Sequence, residues 1–335
     1  MVKLLLKNTK GTFDISQLVP QITWSGDYQQ CARTLDFSLL SAPLDKHIPA
    51  LQCELGHSIL LMQDNSTLFE GYIFERTKNT GSSTIDITCF DRGIYLKRNK
   101  TSYKFTNQAP EAIAKRICAD FDIEIGEIID TGVKISRNFL GSTLYDIIQT
   151  AYTLASYQTK KKYYLVFKGP KLYVLEKKVT DETLVIEGGS NLMEASTSES
   201  IRSLINQIAI YDKDDNLIRR VKNDEFIGLY GLLQDYIRQS DDENAGKRAQ
   251  DMLDNNGLQQ KITINNLGNA ANVSGGTVVV REPYTGLYGL FYIDSDTHTW
   301  KNGLYLNKLV INFKNIMDEK EVGTLPNQSS EKAAG

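Results

Sequence analysis

Histidine is the first residue type to examine for metal binding or proton transfer in this sequence. The chain has three, at His47, His57 and His298. No two of them have the HxH or HxxxH spacing of paired metal ligands. One local cluster combines suitable types, because Asp294, Asp296 and His298 alternate with Trp300 along a predicted strand.

These residue types could bind a metal ion, but such a site would need further ligands from elsewhere in the fold. Polar side chains at a strand end more commonly cap turns and bond to the backbone, and we expect that role here. The sequence around Ser274 does not match the GxSxG motif of a serine nucleophile, because Asn272 occupies the position of the first glycine. The run from Gly188 to Asn191 lacks the GKS/T ending of a phosphate loop.

Paired carboxylates occur at Glu124 and Glu127, and in the run Asp212, Asp214 and Asp215. A glycoside hydrolase needs two carboxyl groups facing each other across a cleft, which spacing alone does not indicate. Solvated surface charges are the expected explanation.

A cluster of basic residues surrounds Tyr163, Tyr164 and Tyr173 and comprises Lys160, Lys161, Lys162, Lys168, Lys171, Lys177 and Lys178. Such interleaving could contact nucleic acid. However, the net charge of −3 gives no general attraction to phosphates. We expect the exposed face of a hairpin or a contact to an acidic protein.

The four cysteines, Cys31, Cys53, Cys89 and Cys118, match no zinc or redox spacing, so we expect buried free thiols. The apolar run at the N-terminus is too short for a signal peptide, and no run has the length of a membrane span. Folding in a reducing cytoplasm is expected. We assign no catalytic, cofactor-binding or metal-binding residue and expect a protein that is not an enzyme.

A predicted β-hairpin organises the first part of the chain. Its strands are residues 68–76 and 83–90, separated by a polar turn. Ile85, Ile87 and Cys89 point to one face, which is a period of two with that face buried. Further short strands are predicted at 3–8, 15–24, 32–40 and 55–62. Short strands at this spacing favour a barrel or sandwich, so residues 1–100 are the first β domain.

Helical patterns follow in residues 101–184. Pro110 stands at a favoured first position of a helix, and Ser142 or Thr143 is a suitable N-cap for a second. A short strand at 123–128 and a hairpin of 163–167 with 171–176 complete a small α+β domain.

Residues 185–320 are predicted to form a second β domain. It contains a hairpin of 206–211 with 217–221, a helix that follows the acidic residues 240–243 and ends before Gly257, and four later strands at 259–265, 276–281, 289–296 and 305–313. Residues 321–335 are predicted to be a flexible tail. No internal repeat is evident by eye.

A series of motifs in this order resembles the central baseplate hub proteins of contractile phage tails, in the XkdQ/YqbQ-like family of Gram-positive prophages and R-type bacteriocins. They are Trp24-Ser25-Gly26-Asp27, residues 32–38, Leu55-Gly56, residues 69–74, Cys89-Phe90-Asp91 with Tyr95-Leu96, residues 110–114, 141–148 and 206–208, Phe291-Tyr292-Ile293-Asp294, and His298-Thr299-Trp300. The resemblance extends over residues 1–315.

This resemblance implies a mainly β fold with an α+β insert, in which two tube-like β-barrel domains flank a small α+β domain. It implies a homotrimer whose pseudo-sixfold ring joins the sixfold tail tube to the threefold spike. Expected partners are the tail tube or tube-initiator protein, the central spike protein, the tape measure protein and the baseplate wedge proteins.

The resemblance implies no catalytic residues and no sequence-specific binding to nucleic acid. The protein would belong to a virion or bacteriocin particle that assembles in the bacterial cytoplasm and touches no membrane in its resting state. Two other classes stay open: a phage-associated peptidoglycan hydrolase, tested at Glu124, Glu127 and Asp294, and a carbohydrate- or receptor-binding β protein.

Overall fold

The computed structural model describes residues 2–41, 51–79, 81–179, 183–239 and 245–326. His47, the acidic segment Ser240-Asp241-Asp242-Glu243 and residues 327–335 of the predicted tail lie outside these ranges. By its internal contacts the chain divides into a larger unit, Met1–Ala195 with Ile264–Gly335, and a smaller unit, Ser196–Thr263. The two units are described separately.

The fold is mainly β, as predicted. Its strands up to the end of the α+β region are β1 (Val2–Asn8), β2 (Gly11–Asp14), β3 (Gln21–Asp27), β4 (Thr34–Leu40), β5 (Ser58–Gln63), β6 (Ser66–Lys78), β7 (Thr84–Asp91), β8 (Lys100–Gln108), β9 (Glu124–Ile128), β10 (Ile135–Thr143), β11 (Tyr163–Lys168) and β12 (Lys171–Glu176). The later strands are β13 (Leu184–Glu187), β14 (Leu192–Ser200), β15 (Gln207–Tyr211), β16 (Leu217–Lys222), β17 (Gln234–Arg238), β18 (Gln259–Leu267), β19 (Thr277–Glu282), β20 (Leu287–Lys301) and β21 (Leu304–Asn312). The α-helices are α1 (Gly93–Arg98), α2 (Pro110–Asp120), α3 (Leu144–Thr159), α4 (Asp224–Tyr230) and α5 (Ala245–Asn255).

The predicted hairpin is present as β6 and β7, and it buries Ile85, Ile87 and Cys89 as expected. The predicted strand at 15–24 is wrong in its first half, where Ser16–Leu18 form a 3₁₀ turn. The cause is local, because the Asp14 carboxylate accepts hydrogen bonds from both the backbone N–H and the hydroxyl of Ser16. Such side-chain bonds compete with strand pairing.

Both predicted helices of the α+β region form. Pro110 is the first residue of α2, and the Thr143 hydroxyl caps α3 by accepting from the backbone N–H of Asp146. The prediction missed α1 and the antiparallel pair of β8 with β10. The helices pack on one apolar core with β11 and β12.

Two β regions of the chain share one strand order; the second includes β14 and β18, each of which has one part in the larger unit and one in the smaller. In the first region the hydrogen-bonded path is β1-β5-β6-β7-β4-β3, and in the second it is β13-β19-β20-β21-β18-β14. If the six strands of each region are numbered 1 to 6 in chain order, both paths read 1-4-5-6-3-2. One difference is that β13 pairs with β19 in parallel, whereas β1 pairs with β5 antiparallel. We call these two sets of six strands the first and second modules.

The correspondence extends to single backbone bonds. Gly56 and Gly275 both have positive φ angles, of 82° and 92°. The Gly56 N–H donates to the carbonyl of Ile73 at 2.8 Å, and the Gly275 N–H donates to the carbonyl of Ile293 at 3.1 Å. A register shift follows Ile73 in β6 and Ile293 in β20. The chain therefore contains an internal structural repeat.

The smaller unit has a three-stranded sheet of its own. β15 lies in the centre, antiparallel to β16 and parallel to β17. α5 packs on it, and the shared core includes Ile208, Ile210, Ile237, Ala249 and Leu253. The predicted hairpin of 206–211 with 217–221 is thus confirmed as β15 and β16.

Candidate assembly interface between the two modules

The two modules are joined by backbone pairing of β20 with β3. The first half of β20 pairs with β19 inside the second module. Its second half leaves that neighbour and pairs antiparallel with β3 of the first module, from Ser295 opposite Asp27 to Lys301 opposite Gln21. A single thirteen-stranded sheet therefore contains strands of both modules.

A buried ion pair lies at this joint. The Arg33 guanidinium reaches across from the first module and binds both carboxylate oxygens of Asp296 on β20. Arg33 also stacks on the ring of Trp24, 4.1 Å from its centroid. Burial raises the pKa of Asp296, but the Arg33 charge and the hydrogen bonds from His298 and Arg33 outweigh it and hold that pKa at about 2. The pair is fixed in its charged form at neutral pH.

His298 is fully buried next to this pair. The Asn307 amide donates to its Nδ1 at 2.8 Å, so Nε2 carries the hydrogen and donates to the carbonyl of Asn272 at 3.1 Å. Burial lowers the pKa of His298, and the hydrogen bond to Asp296 opposes that shift. The histidine acts as a hydrogen-bonding bridge between β20, β21 and the loop that precedes β19.

A second buried cation connects the α+β region to the same strand. Lys177 Nζ lies 3.3 Å from the Asp294 carboxylate and donates to the carbonyl of Ile316 at 3.2 Å. The rings of Tyr28 and Tyr292 lie 5.6 and 5.7 Å from it. Burial lowers the pKa of Lys177, and the charge of Asp294 opposes that shift.

The expectation for the cluster on β20 was therefore half right. Asp296 and His298 do bond to backbone, since Asp296 accepts the N–H of Ser274 at 2.6 Å. They do not lie at a strand end, because β20 runs from Leu287 to Lys301 and both side chains are buried at the joint. Among the residues described, no group of three His, Cys, Asp or Glu side chains is arranged to hold a metal ion.

The other candidate residues lie elsewhere. Glu124 and Glu127 are exposed on β9, whereas Asp294 is buried against Lys177. Asp212 accepts the N–H groups of Asp214 and Asn216 within its own turn. Because each carboxylate is either exposed or engaged in a structural bond, we assign none of them to catalysis.

The predicted basic cluster is divided among separate contacts. Lys161 pairs with Glu176 at 2.9 Å, and Lys162 pairs with Glu319 at 2.7 Å. Lys177 is buried, as described above. Lys177 is therefore not part of an exposed cationic surface, whereas Lys168 and Lys171 are exposed on the hairpin of β11 and β12, as predicted.

The four cysteines are buried and free, as expected. Burial raises the pKa of Cys53 and that of Cys118 to about 11. No α-helix in the described ranges is both long and apolar enough to cross a lipid bilayer.

Asp91 is a buried carboxyl that the sequence analysis named within a motif but did not consider as a candidate site residue. It lines a cavity of about 530 Å³ together with Arg33 and Glu70. Burial raises the pKa of Asp91 to about 7. Its carboxylate accepts the N–H of Gly93 at 2.9 Å, which fixes the turn from β7 into α1. The motif Asp91-Arg92-Gly93 was visible in the sequence, but its burial was not.

Comparison with known proteins agrees with this architecture. A family model described as YQBQ-like matches residues 22–312. The phage-like element PBSX protein XkdQ of Bacillus subtilis (strain 168) is 26% identical over 319 residues, covering 92% of this chain and 97% of that protein.

Solved structures show the same fold. The 43 kDa tail protein of prophage MuSo2 from Shewanella oneidensis has a TM-score of 0.70 at 15% identity, covering 92% of this chain and 98% of that one. A tail protein from Neisseria meningitidis MC58 has a TM-score of 0.65 at 13% identity, covering 96% and 99%. The E. coli c3393 protein has a TM-score of 0.52 at 10% identity, covering 92% and 76%. It is described as a type VI secretion component structurally similar to the T4 tail proteins gp27 and gp5.

The duplicated modules and these likenesses assign the fold to the class seen in solved phage-tail proteins. Within that class it belongs to the YqbQ-like family, and the resemblance inferred from the sequence is confirmed.

Proposed function

We propose that this protein is the central baseplate hub of a contractile tail or contractile injection particle. In this role it is a homotrimer that adapts the sixfold tail tube to the threefold central spike and lines the channel. The observation that carries the proposal is the internal repeat. Three chains with two modules each supply six similar units around one axis, so a threefold assembly can match a sixfold neighbour.

The joint between the modules supports this role physically. Continuous pairing from β20 into β3 builds one sheet from both modules, as the wall of a β-lined channel requires. The buried pair of Arg33 with Asp296 fixes the relative position of the modules within a chain, because separating them would leave a charge buried without its partner. A structural role of this kind needs rigidity rather than a reactive site.

The proposed domains follow the same scheme. Residues 1–100 and 185–320 would be tube-like β-barrel domains around the α+β domain at 101–184, with 321–335 as a tail. The strands of the first module lie within residues 1–100, and those of the second begin at Leu184, one residue before the proposed second barrel. The compact unit Ser196–Thr263 lies within 185–320.

The proposed partners follow from the position of a hub in the tail. Its six-unit side would bind the tail tube or tube-initiator protein, and its threefold side the central spike protein. The tape measure and baseplate wedge proteins would be further neighbours. The mature location is a virion or bacteriocin particle that assembles in the bacterial cytoplasm.

Gel filtration with light scattering tests the trimer. At micromolar concentration the purified protein should have three times the mass of one chain. Interfaces of obligate assemblies commonly bury about 2,000 Å² or more, so the measured mass should change little when the protein is diluted. A well-folded monomer at this concentration would contradict the proposal.

A further inference from the structure

The two strands that form the joint inside the chain have equivalents, one in each module, that are not paired with each other. The joint uses the second half of the fifth strand of one module, β20, and the second strand of the other module, β3. In the opposite combination, the fifth strand of the first module is β6 and the second strand of the second module is β14. The second half of β6 and the strand β14 are therefore the equivalents of the second half of β20 and of β3. Within the described residues neither of these edges has a neighbouring strand on its open side.

The open half of β6 comprises residues 74–78. β5 pairs with β6 as far as Tyr72, and Ile73 exchanges backbone bonds with Gly56 and His57. From Glu75 to Lys78 the strand partner within the described residues is β7 alone. Phe74 is 36% exposed, and Glu75, Thr77 and Lys78 are exposed as well. An open strand edge of this kind presents unpaired backbone N–H and C=O groups that another chain can pair with.

The other open edge is β14, which ends the strand path of the sheet. It has nine residues, and its Met193 side chain is 59% exposed. It carries Glu194 and Glu199 and no basic residue, so it lacks the lysines that commonly protect an exposed edge. In the open half of β6 the Arg76 guanidinium is already paired with Glu54, so it adds no net charge to that edge. Lys78 supplies a basic side chain that could meet an acid of β14, next to the acid Glu75.

We propose that residues 74–78 of β6 pair antiparallel with β14 of a second copy of this chain, as β20 pairs with β3 within one chain. This inference rests on the proposed trimer and names the strands that close it. Each copy has one edge of each kind, so the contact is head-to-tail rather than twofold. Head-to-tail contacts close into a ring when the rotation per copy allows it. Three copies then alternate intrachain and interchain joints around six modules.

Disulfide trapping tests the pairing. Directly opposite residues on antiparallel strands have Cα atoms about 4.5 to 5.5 Å apart, within the range that a disulfide bridges. Thr77→Cys would be combined in four separate proteins with Leu192→Cys, Met193→Cys, Glu194→Cys or Ala195→Cys. We expect crosslinks of two and three chains on a non-reducing gel at alternate positions, because side chains of a strand alternate between faces.

The chain offers matched controls. Thr297 occupies in β20 the position of Thr77 in β6, and it lies opposite Ser25. The pair Ser25→Cys with Thr297→Cys should give an intrachain disulfide and no crosslinked chains. Thr67→Cys in the paired half of β6, combined with the same β14 cysteines, should give none. The four native cysteines are buried and should not compete.

The outcomes separate the two proposals. If light scattering shows a trimer and the intrachain control forms, but no β14 position crosslinks to Thr77→Cys, then the pairing is wrong and the hub proposal stands. If the protein is a folded monomer, both proposals fail. Crosslinks at alternate positions that depend on both cysteines support the pairing.

Discussion

The two long strands β6 and β20 are equivalent in their modules, yet they differ beyond the shared register shift. Both contain Tyr-Ile before the shift, at Tyr72-Ile73 and Tyr292-Ile293. Beyond it, β20 carries the buried Asp296 and His298, whereas β6 carries Arg76 and Lys78 near solvent. The same backbone therefore serves two purposes. β20 pairs with a neighbouring strand within the chain, whereas the equivalent half of β6 has an open edge.

Replacing Arg33 with methionine should have the largest effect on stability. Asp296 would stay buried without its counter-charge, and breaking a buried pair in this way costs about 3 to 5 kcal/mol. Urea unfolding at one fixed protein concentration measures the loss, since assembly would otherwise shift the midpoint.

Arg76→Met is the matched control in the other module. Its partner Glu54 is 58% exposed, and exposed pairs contribute about 1 kcal/mol or less. The Arg76 side chain also donates to the carbonyl of Cys53, so a small loss is expected. Equal losses for Arg33→Met and Arg76→Met would show that the joint does not depend on its buried charge pair.

The equivalent glycines give the next largest difference. Alanine at Gly56 or Gly275 would have to adopt a positive φ, which costs about 1 to 2 kcal/mol. At Gly275 the new Cβ would also lie 2.8 Å from Tyr164, whereas at Gly56 it meets no atom within 4 Å. Overpacking adds about 1 to 3 kcal/mol, so Gly275→Ala should lose more stability than Gly56→Ala in the same urea experiment. The reverse order would contradict the difference in packing around these two glycines.

A further difference is a pH dependence that belongs to the first module. Burial raises the pKa of Asp91 to about 7, and an unfolded aspartate titrates near 4. The folded protein therefore holds a proton that the unfolded chain has released, so this contribution to stability falls as the pH rises. Between pH 5 and pH 7 the fall is about 2 kcal/mol.

Asp91→Asn removes this pH-dependent contribution, because the amide stays neutral and its oxygen can still accept the N–H of Gly93. Unfolding free energies of both proteins at pH 5 and pH 7 give the comparison. Asp296, with a pKa held at about 2, stays ionised throughout this range. A wild-type protein that loses no more stability than Asp91→Asn would contradict the assignment.

Local patterns in the sequence predicted much of the fold. The alternation of Ile85, Ile87 and Cys89 identified β7, and Pro110 and Thr143 identified the starts of α2 and α3. These signals work because each depends on neighbouring residues.

The joint was not predicted, because Arg33 and Asp296 are separated by 263 positions and nothing local links them. The repeat was also missed. Its modules share strand order and backbone hydrogen bonds rather than side chains, and a unit of residues 196–263 interrupts the second. The four later strands were found near their observed positions, but the continuation of β20 to Lys301 as a partner of β3 was not foreseen.

Electron microscopy of the purified full-length protein tests the central claim most directly. Averaged images viewed along the symmetry axis should show a ring of three copies with an open centre and six similar wall segments. Single compact particles without an open centre, or a closed ring whose copy number is not three, would contradict the account.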